Sequence, residues 1–234
     1  MNKKTLIILL LILFLANIYY ILLNENIFLE SFYVKRVIDA DTIVLENDIK
    51  VRLKGINAPE KGMIYYEESV NFLKDLIENK SVKIKHYGQD KYNRYLGYVF
   101  LGNENINKIL LMNGYAHLYY YEIDNYYNNL KISEGFARQN NLGIWKKSKD
   151  YNCFNLIELD YNDSAEDKNE TLIFYNDCNK ILNITFKDDA THVYSREIKQ
   201  GYYIESFIKI FNNDKDSLYV WDKNGLLEFY RYSN

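Results

Sequence analysis

Three short segments rich in β-branched and aromatic residues follow one another between Phe32 and Leu53, and they restrict the fold more than any other feature of this chain. The segments at 32–37, 42–45 and 49–53 are separated by short links that contain Asp-Ala-Asp and Asn-Asp. Valine, isoleucine, phenylalanine and tyrosine favour strands, and short links of aspartate and asparagine favour tight turns. The sequence therefore predicts a three-stranded antiparallel meander.

The same region concentrates residues that can carry chemistry. Asp39 and Asp41 lie in the first turn, Arg52 lies in the third strand, and Glu60 follows the only proline of the chain. Alternation along the third strand directs Arg52 away from the apolar face. An arginine close to carboxylates outlines a site for phosphate and a metal ion. Taken singly, Arg52 and Glu60 also fit an ordinary surface ion pair, and Asp39 fits a turn former.

The rest of the first 147 residues alternates between helical and strand patterns. Apolar residues recur at helical spacing from Tyr65 to Asn79, which predicts a helix after the third strand. The other predicted elements are strands at 81–87 and 96–101, helices at 106–112 and 126–139, and an apolar plug at 142–145. Five short strands with a helix after the third indicate the α+β class and an OB-fold, a five-stranded β-barrel with helices. Another α+β domain is the alternative.

Charge and pattern divide the chain into two domains after an N-terminal segment. Residues 31–146 carry 16 Lys and Arg against 14 Asp and Glu, whereas 150–234 carry 9 against 16. Only the first of these suits an anionic substrate, and neither has the strongly basic face of a tight DNA-binding protein. The predicted division is 1–30 for the N-terminal segment, 31–147 for the OB-fold domain and 151–234 for an accessory domain.

The N-terminal segment has the pattern of a membrane signal. Lysines at positions 3 and 4 precede an apolar run from Thr5 to Leu23, and about 20 such residues span a bilayer. The sequence predicts a transmembrane helix that anchors the protein in the membrane, with the bulk of the chain extracytoplasmic. The alternatives are a cleaved signal, which would make the protein secreted, and a buried soluble helix. Cys153 and Cys178 fit an oxidising location as one disulfide, with two buried free thiols as the alternative.

Four motifs occur in a fixed order in the first domain: I-D-A-D-T at 38–42, V-R-L-K-G-I-N-A-P-E at 51–60, D-K-Y-N-R at 90–94, and S-E-G-F-A-R-Q-N-N-L-G-I-W, which ends at Trp145. In this order they resemble the staphylococcal nuclease (thermonuclease) family from Phe32 to Trp145. The resemblance implies catalytic roles for Arg52, Glu60 and Arg94, nucleotide contacts for Tyr92 and Tyr120, and metal ligation by Asp41, Asn57 and the backbone carbonyl of Ala58.

The chemistry of these residue types agrees with that implication. Carboxylate, amide and carbonyl oxygens suit Ca²⁺, two arginines can neutralise charge at phosphorus, and a glutamate can deprotonate water. Asn57 departs from the family, because an aspartate is usual at its position. We expect the lost negative charge to weaken metal binding without abolishing it.

The C-terminal part alternates six strand-like runs with turns, which favours an antiparallel sandwich. Its segments E-T-L-I-F-Y-N-D-C, F-K-D-D-A-T-H-V-Y and V-W-D-K-N-G-L-L-E-F resemble a lamin-tail-type domain, an immunoglobulin-like β-sandwich. That resemblance implies a binding or positioning role and identifies no ligand. Asp188 and Asp189 are expected to form a solvated turn, with a calcium site as the alternative. The histidines at positions 86, 117 and 192 lack ligand spacing and are expected to be structural or surface residues.

The sequence thus predicts a calcium-dependent nuclease that cuts DNA and RNA with little sequence preference and needs no small-molecule cofactor. The alternative is a noncatalytic OB-fold module at the cell surface that binds nucleic acid or a protein.

Overall fold

The structure is a computed structural model that describes residues 3–26, 29–120, 122–161, 169–190, 192–208 and 210–233. Helices and mostly antiparallel sheets are both present, which confirms the α+β class. The helices are α1 (Lys3–Asn26), α2 (Tyr66–Ile77), α3 (Ile106–Met112) and α4 (Tyr127–Gln139). We refer to residues 29–147 as the barrel region and to residues 148–233 as the C-terminal region.

The strands of the barrel region close on themselves. In chain order they are β1 (Leu29–Asp39), β2 (Thr42–Leu45), β3 (Lys50–Leu53), β4 (Ile56–Asn57), β5 (Ser81–Gln89), β6 (Tyr95–Leu101), β7 (Glu104–Asn105) and β8 (His117–Leu118). Antiparallel neighbours run in the order β3-β2-β1-β5-β6, and β3 also pairs in parallel with β6, where Arg52 lies opposite Leu96. This closure gives the five-stranded barrel that an OB-fold requires.

The barrel encloses one apolar core, and the apolar residues of β3 and α2 face it as their sequence patterns predict. Val51 and Leu53 of β3 point into it while Arg52 between them does not, as the alternation predicts. Helix α2 covers one side with Leu73 and Ile77, both fully buried. The meander, the helix after it and the two later helices therefore form where the sequence patterns predict them. The pairing of β4 with β8 then holds Asn57 beside His117.

Helix α1 occupies the apolar N-terminal segment that was predicted to be a membrane anchor. Within the part of the chain that the structure describes, no helix combines the length and apolar character needed to cross a membrane.

The C-terminal region contains two antiparallel sheets over a shared apolar cluster. Its strands are β9 (Phe154–Asp160), β10 (Glu170–Asn176), β11 (Leu182–Lys187), β12 (Val193–Ile198), β13 (Gly201–Phe207), β14 (Lys215–Asp222) and β15 (Gly225–Ser233). One sheet has the order β13-β10-β9 and the other β12-β11-β14-β15. Phe174 of the first sheet and Phe186 of the second belong to the same core. The lamin-tail resemblance, the sandwich assignment and the domain boundaries stay predictions.

Two details of this region differ from the sequence prediction. Strand β12 was not predicted, because its alternating residues include Arg196 and Glu197, whose charges mask the strand pattern. One of the six strand-like runs, predicted at 202–211, ends at Phe207 in the structure. Ile210 and Phe211 are still buried, because their backbone N–H groups donate to the carboxylate of Glu170.

The two regions share a third apolar cluster. Ile144 and Trp145, at the end of the barrel region, pack with Tyr219, Trp221 and Leu226 of the C-terminal sheet. The indole N–H of Trp221 donates to the backbone carbonyl of Ile144 at 2.8 Å. Main-chain bonds join the same surfaces, since Leu226 N–H donates to the carbonyl of Lys146 at 2.7 Å. The predicted plug at 142–145 therefore seals an interface between two parts of the chain.

Cys153 and Cys178 form a disulfide, with their Cα atoms 5.0 Å apart. The bond joins the start of β9 to the turn after β10 and closes a loop of sequence separation 25. In the chain-entropy account, such a loop contributes about 3.5 kcal/mol to the free energy of unfolding. We expect Cys153→Ser with Cys178→Ser to lower that free energy by about this amount in urea titration. Reductant should destabilise the wild type and leave the double variant unchanged; equal sensitivity of both proteins would contradict the expectation.

Candidate functional site

The predicted site is built around Asp41, in the turn between β1 and β2. Its Oδ1 accepts a hydrogen bond from the Thr42 hydroxyl at 3.0 Å, and its Oδ2 accepts one from the backbone N–H of Ala58 at 2.9 Å. Only 10% of the Asp41 side chain is exposed. A buried carboxylate needs such partners. The turn also holds Asp39, whose carboxylate accepts from the Tyr66 hydroxyl at 2.9 Å and so ties the turn to α2.

Arg52 projects from β3 into the space between Asp41 and Asn57. Its Nη2 lies 3.0 Å from Asp41 Oδ2 and 2.8 Å from Asn57 Oδ1. Its Nη1 donates to the carbonyl of Leu53 at 3.1 Å. The guanidinium is therefore held in one orientation by contacts on several sides, with 11% of the side chain exposed. Two oxygens that the family resemblance assigns to a metal thus converge on a cationic nitrogen.

Arg94 reaches the same turn from the loop between β5 and β6. Its Nε donates to Asp90 Oδ2 at 2.7 Å, and its Nη1 lies 3.5 Å from the Thr42 hydroxyl oxygen. The Tyr92 ring, which is 67% exposed, lies beside it, with the guanidinium carbon 5.3 Å from the ring centroid. The structure therefore brings both predicted arginines to Asp41 and Thr42.

Glu60 lies in the loop that follows Asn57 and Ala58. Burial raises the pKa of its carboxyl, and the negative charges of Asp41 and Asp39 raise it further. The cations of Lys187 and Arg52 act in the opposite direction and are too weak to cancel that effect. The carboxyl thus lies within electrostatic reach of the residues predicted to share its site, and its pKa is moved towards neutrality.

Tyr120, predicted to stack on a base, belongs to a neighbouring cluster. Its hydroxyl lies 3.1 Å from that of Tyr98, and it accepts from the backbone N–H of Asp124 at 3.3 Å. The ammonium of Lys54 lies 5.5 Å from the centre of the Tyr120 ring and binds Asp124 at 2.9 Å. Burial raises the pKa of the Tyr98 hydroxyl strongly. No described contact joins Tyr120 to Arg52, Arg94 or Glu60.

The C-terminal region adds a buried cation that the sequence did not point to. The Lys187 ammonium lies 3.0 Å from Nε2 of His117 and 2.8 Å from the carbonyl of Asp188, and the residue is 1% exposed. Burial holds the pKa of His117 well below its usual range, so the ring is neutral. Because the ammonium can only donate, Nε2 accepts and His117 carries its proton on Nδ1.

That proton points into the C-terminal region. His117 Nδ1 lies 2.9 Å from the Tyr219 hydroxyl, which donates to Asp189 Oδ1 at 2.7 Å and accepts from Arg231 at 2.8 Å. Arg231 also binds Glu134 of α4. His117 is structural, as predicted, but it is part of a network that spans both regions. No local pattern in the sequence marks this network.

The expectation that Asp188 and Asp189 form a solvated turn is wrong. Asp188 is 1% exposed and its carboxylate binds His192 at 2.7 Å, and the N–H of Asp189 donates to Asp216 at 2.9 Å. Burial raises the pKa of the Asp189 carboxyl to about 6. Asp188 is therefore buried and Asp189 half-buried, and the turn contacts the barrel region through Asn57.

Lys187 gives a prediction for stability against pH. Burial lowers its pKa from 10.5 to about 8, so between these values the unfolded chain binds more protons than the folded one. The contribution of Lys187 to the free energy of unfolding therefore rises between pH 8 and pH 10.5, by about 3 kcal/mol at most. Urea unfolding of the wild type and Lys187→Met across this range measures the difference. A difference that stays constant with pH would show that the lysine keeps its ordinary pKa.

Most of the barrel region matches a known protein family. A family described as "Staphylococcal nuclease homologue" matches residues 50–147. This match includes Arg52, Asn57, Glu60 and Arg94, and it begins after Asp41.

Three relatives illustrate the similarity. A "Thermonuclease" of Staphylococcus intermedius is 35% identical over 130 residues, which cover 50% of this chain and 77% of the relative. An "Uncharacterized endonuclease" of Escherichia coli O157:H7 is 34% identical over 116 residues, 48% of this chain and 74% of the relative. A "Staphylococcal-like nuclease CAN1" of Arabidopsis thaliana is 30% identical over 105 residues, 45% of this chain and 32% of the relative.

The barrel, the order of its motifs and these relatives define a hydrolytic enzyme of the endonuclease class. The chain belongs to the staphylococcal nuclease family. The lamin-tail resemblance stays a prediction.

Proposed function

We propose that the chain hydrolyses phosphodiester bonds of DNA and RNA, with little sequence preference, in a calcium-dependent reaction. The observation that carries the proposal is the position of Arg52, whose Nη2 is fixed between Asp41 and Asn57 and whose charge acts on Glu60. A fixed guanidinium beside a carboxylate base supplies the two groups that phosphodiester hydrolysis requires.

Glu60 acts as the general base. Its carboxylate takes a proton from a water molecule, the water oxygen bonds to phosphorus, and the bond from phosphorus to the leaving oxygen breaks. A base is most effective when its pKa lies near the working pH, so the raised pKa of Glu60 supports this role. The activity should therefore fall as the pH falls through that raised pKa.

Arg52 and Arg94 stabilise the charge that grows on the phosphate oxygens. A guanidinium offers several N–H donors and a delocalised positive charge, both of which suit phosphate oxygens. Their anchoring to Asp41, Asp90 and Thr42 holds them before substrate binds. Tyr92, exposed beside Arg94, is placed to contact a nucleotide, and Tyr120 is proposed to stack on a base.

Thermonuclease-like proteins use a metal ion, and the oxygens present here fit a hard cation. Asp41 Oδ2 and Asn57 Oδ1 both face the positively charged Nη2 of Arg52, and this grouping of oxygens around positive charge supports the proposal. We assign Asp41, Asn57 and the carbonyl of Ala58 as ligands of Ca²⁺, which would supply further positive charge beside the phosphate. Because asparagine replaces the family's second aspartate, the site has one carboxylate ligand in place of two, and we expect it to bind Ca²⁺ weakly.

The test uses the purified full chain with single-stranded DNA, double-stranded DNA and RNA, in Ca²⁺, in Mg²⁺ and in EGTA. We expect cleavage of all three substrates in millimolar Ca²⁺, loss of cleavage in EGTA and recovery when Ca²⁺ is restored. Binding of the substrates without cleavage at any calcium concentration would favour the noncatalytic OB-fold module.

The proposed location is extracytoplasmic, because the Cys153–Cys178 disulfide persists only in oxidising compartments. Cell fractionation tests this: we expect the oxidised protein outside the cytoplasm, and recovery of a reduced cytoplasmic form would refute it.

A further inference from the structure

The side chain of Asn57 uses every part of its amide, and two of its partners lie in the C-terminal region. Its Nδ2 donates to the carbonyls of Asp189 at 3.0 Å and Ala190 at 2.8 Å, across more than 130 residues of sequence. Its Oδ1 accepts from Nη2 of Arg52 at 2.8 Å. The residue is 3% exposed. One buried amide therefore links Arg52 to the C-terminal region.

The carbonyls that receive Asn57 are themselves fixed. We refer to Lys187–Ala190 as the docking turn. The N–H of Asp189 donates to Asp216 at 2.9 Å, the carboxylate of Asp189 accepts from Tyr219 at 2.7 Å, and Lys187 binds the carbonyl of Asp188 at 2.8 Å. The docking turn thus has bonds on both sides, and Asn57 meets a rigid surface.

We infer that Asn57 is a positioning residue through which the C-terminal region orients Arg52, so that this region is part of the catalytic unit. The inference rests on the proposed nuclease function and concerns how its arginine is held. Asn57 supplies a fixed acceptor on one side of the guanidinium, opposite Asp41 on the other. Because the acceptor is itself tied to the docking turn, displacement of that turn displaces the arginine.

The chemistry of the amide explains why asparagine occupies this position. A carboxylate has no hydrogen to donate, so an aspartate at 57 would place a negative charge against the carbonyl oxygens of Asp189 and Ala190. In a buried setting one carboxylate oxygen would then face two acceptors without a donor, which is costly. The departure from the family's usual aspartate is thus matched to the docking of the C-terminal region.

The interface is built to stay closed. Apolar packing of Trp145 against Tyr219 and Trp221, main-chain bonds to Leu226, and the buried pair of Glu134 with Arg231 all join the two regions. A surface of this kind opens only with loss of many contacts. The contact at Asn57 therefore fits a permanent support better than a movable cover over the site.

The decisive substitution is Asn57→Asp, because metal ligation alone and metal ligation combined with positioning of Arg52 predict opposite results. Were Asn57 only a weak metal ligand, the added charge would raise calcium affinity and cleavage. As a positioning residue, we expect kcat to fall by about 10- to 100-fold at saturating Ca²⁺, with KM changed much less. The matched control is Asn155→Asp, the same change at an exposed position of β9, which should leave both constants unaltered.

A double-mutant cycle shows whether Asn57 acts through Arg52. Asn57→Ala should lower kcat about tenfold in the wild-type background and much less when Arg52 is already lysine. Equal losses in both backgrounds would overturn the inference, as would unchanged or increased cleavage by Asn57→Ala or Asn57→Asp. Increased cleavage by Asn57→Ala would identify the docking turn as an inhibitory cover.

Hydrogen exchange of the full chain gives a readout that does not need activity. We expect the amides of Asp189 and His192 to exchange faster in Asn57→Asp and Asn57→Ala, while the barrel core exchanges as in the wild type. Unchanged exchange at Asp189 and His192 would refute the connection between Asn57 and the docking turn. If the wild type bound nucleic acid without cutting it, the proposed function would fail, while the exchange result would still report on the contact.

Discussion

Replacing Glu60 with glutamine is expected to lower kcat for DNA cleavage by about 10³-fold. The amide has nearly the same size and cannot accept the proton of the attacking water. The folded state should not suffer, because burial already disfavours the charged carboxylate of Glu60, as its raised pKa shows. Timed DNA-cleavage assays quenched with EGTA, run at saturating Ca²⁺ and DNA, would measure kcat. Thermal unfolding would confirm that the variant is folded.

The control for Glu60→Gln is Glu104→Gln, the same substitution at an exposed residue of β7. It should cleave at the wild-type rate. A Glu60→Gln protein that retained more than about a tenth of the wild-type kcat would show that another group removes the proton.

Replacing Arg52 with lysine is expected to lower kcat by about 10²-fold although the charge is kept. The guanidinium contacts Asp41, Asn57 and the carbonyl of Leu53 at the same time, and a single ammonium cannot reproduce this geometry. The lost bonds to buried partners should also lower the free energy of unfolding by about 2 kcal/mol. Kinetics with a short oligonucleotide and urea unfolding measure the two effects.

Arg36→Lys provides the comparison, since Arg36 is exposed on β1. Both its activity and its stability should match the wild type. Full activity of Arg52→Lys would mean that Arg52 contributes only its charge and that its fixed orientation has no catalytic role.

The local elements of the barrel region were predictable because each has a short-range signal. Alternation in β3 fixes the direction of Arg52, and helical spacing fixes α2. The order of four motifs was enough to bring Arg52, Arg94 and Asp41 into one predicted site. In the structure Arg52 contacts the Asp41 carboxylate, and Arg94 approaches the Thr42 hydroxyl that is bonded to it.

The contacts between the two regions could not be predicted in this way. Asn57 and Asp189 are 132 residues apart, and no periodicity or motif connects them. Lys187 lies in a segment whose charges are typical of an exposed turn, yet its burial follows from packing against His117. Such tertiary contacts override local pattern, and only the assembled structure reveals them.

The shared cluster of Trp145, Tyr219 and Trp221 sets a limit on how this chain can be divided. A fragment that stopped at Lys147, where the family match ends, would leave the indole of Trp145 and the side chain of Ile144 facing water. Uncovered aromatic surface of this kind drives self-association. Transfer of the nuclease domain alone into another protein would therefore yield insoluble protein unless the new partner covered Ile144 and Trp145.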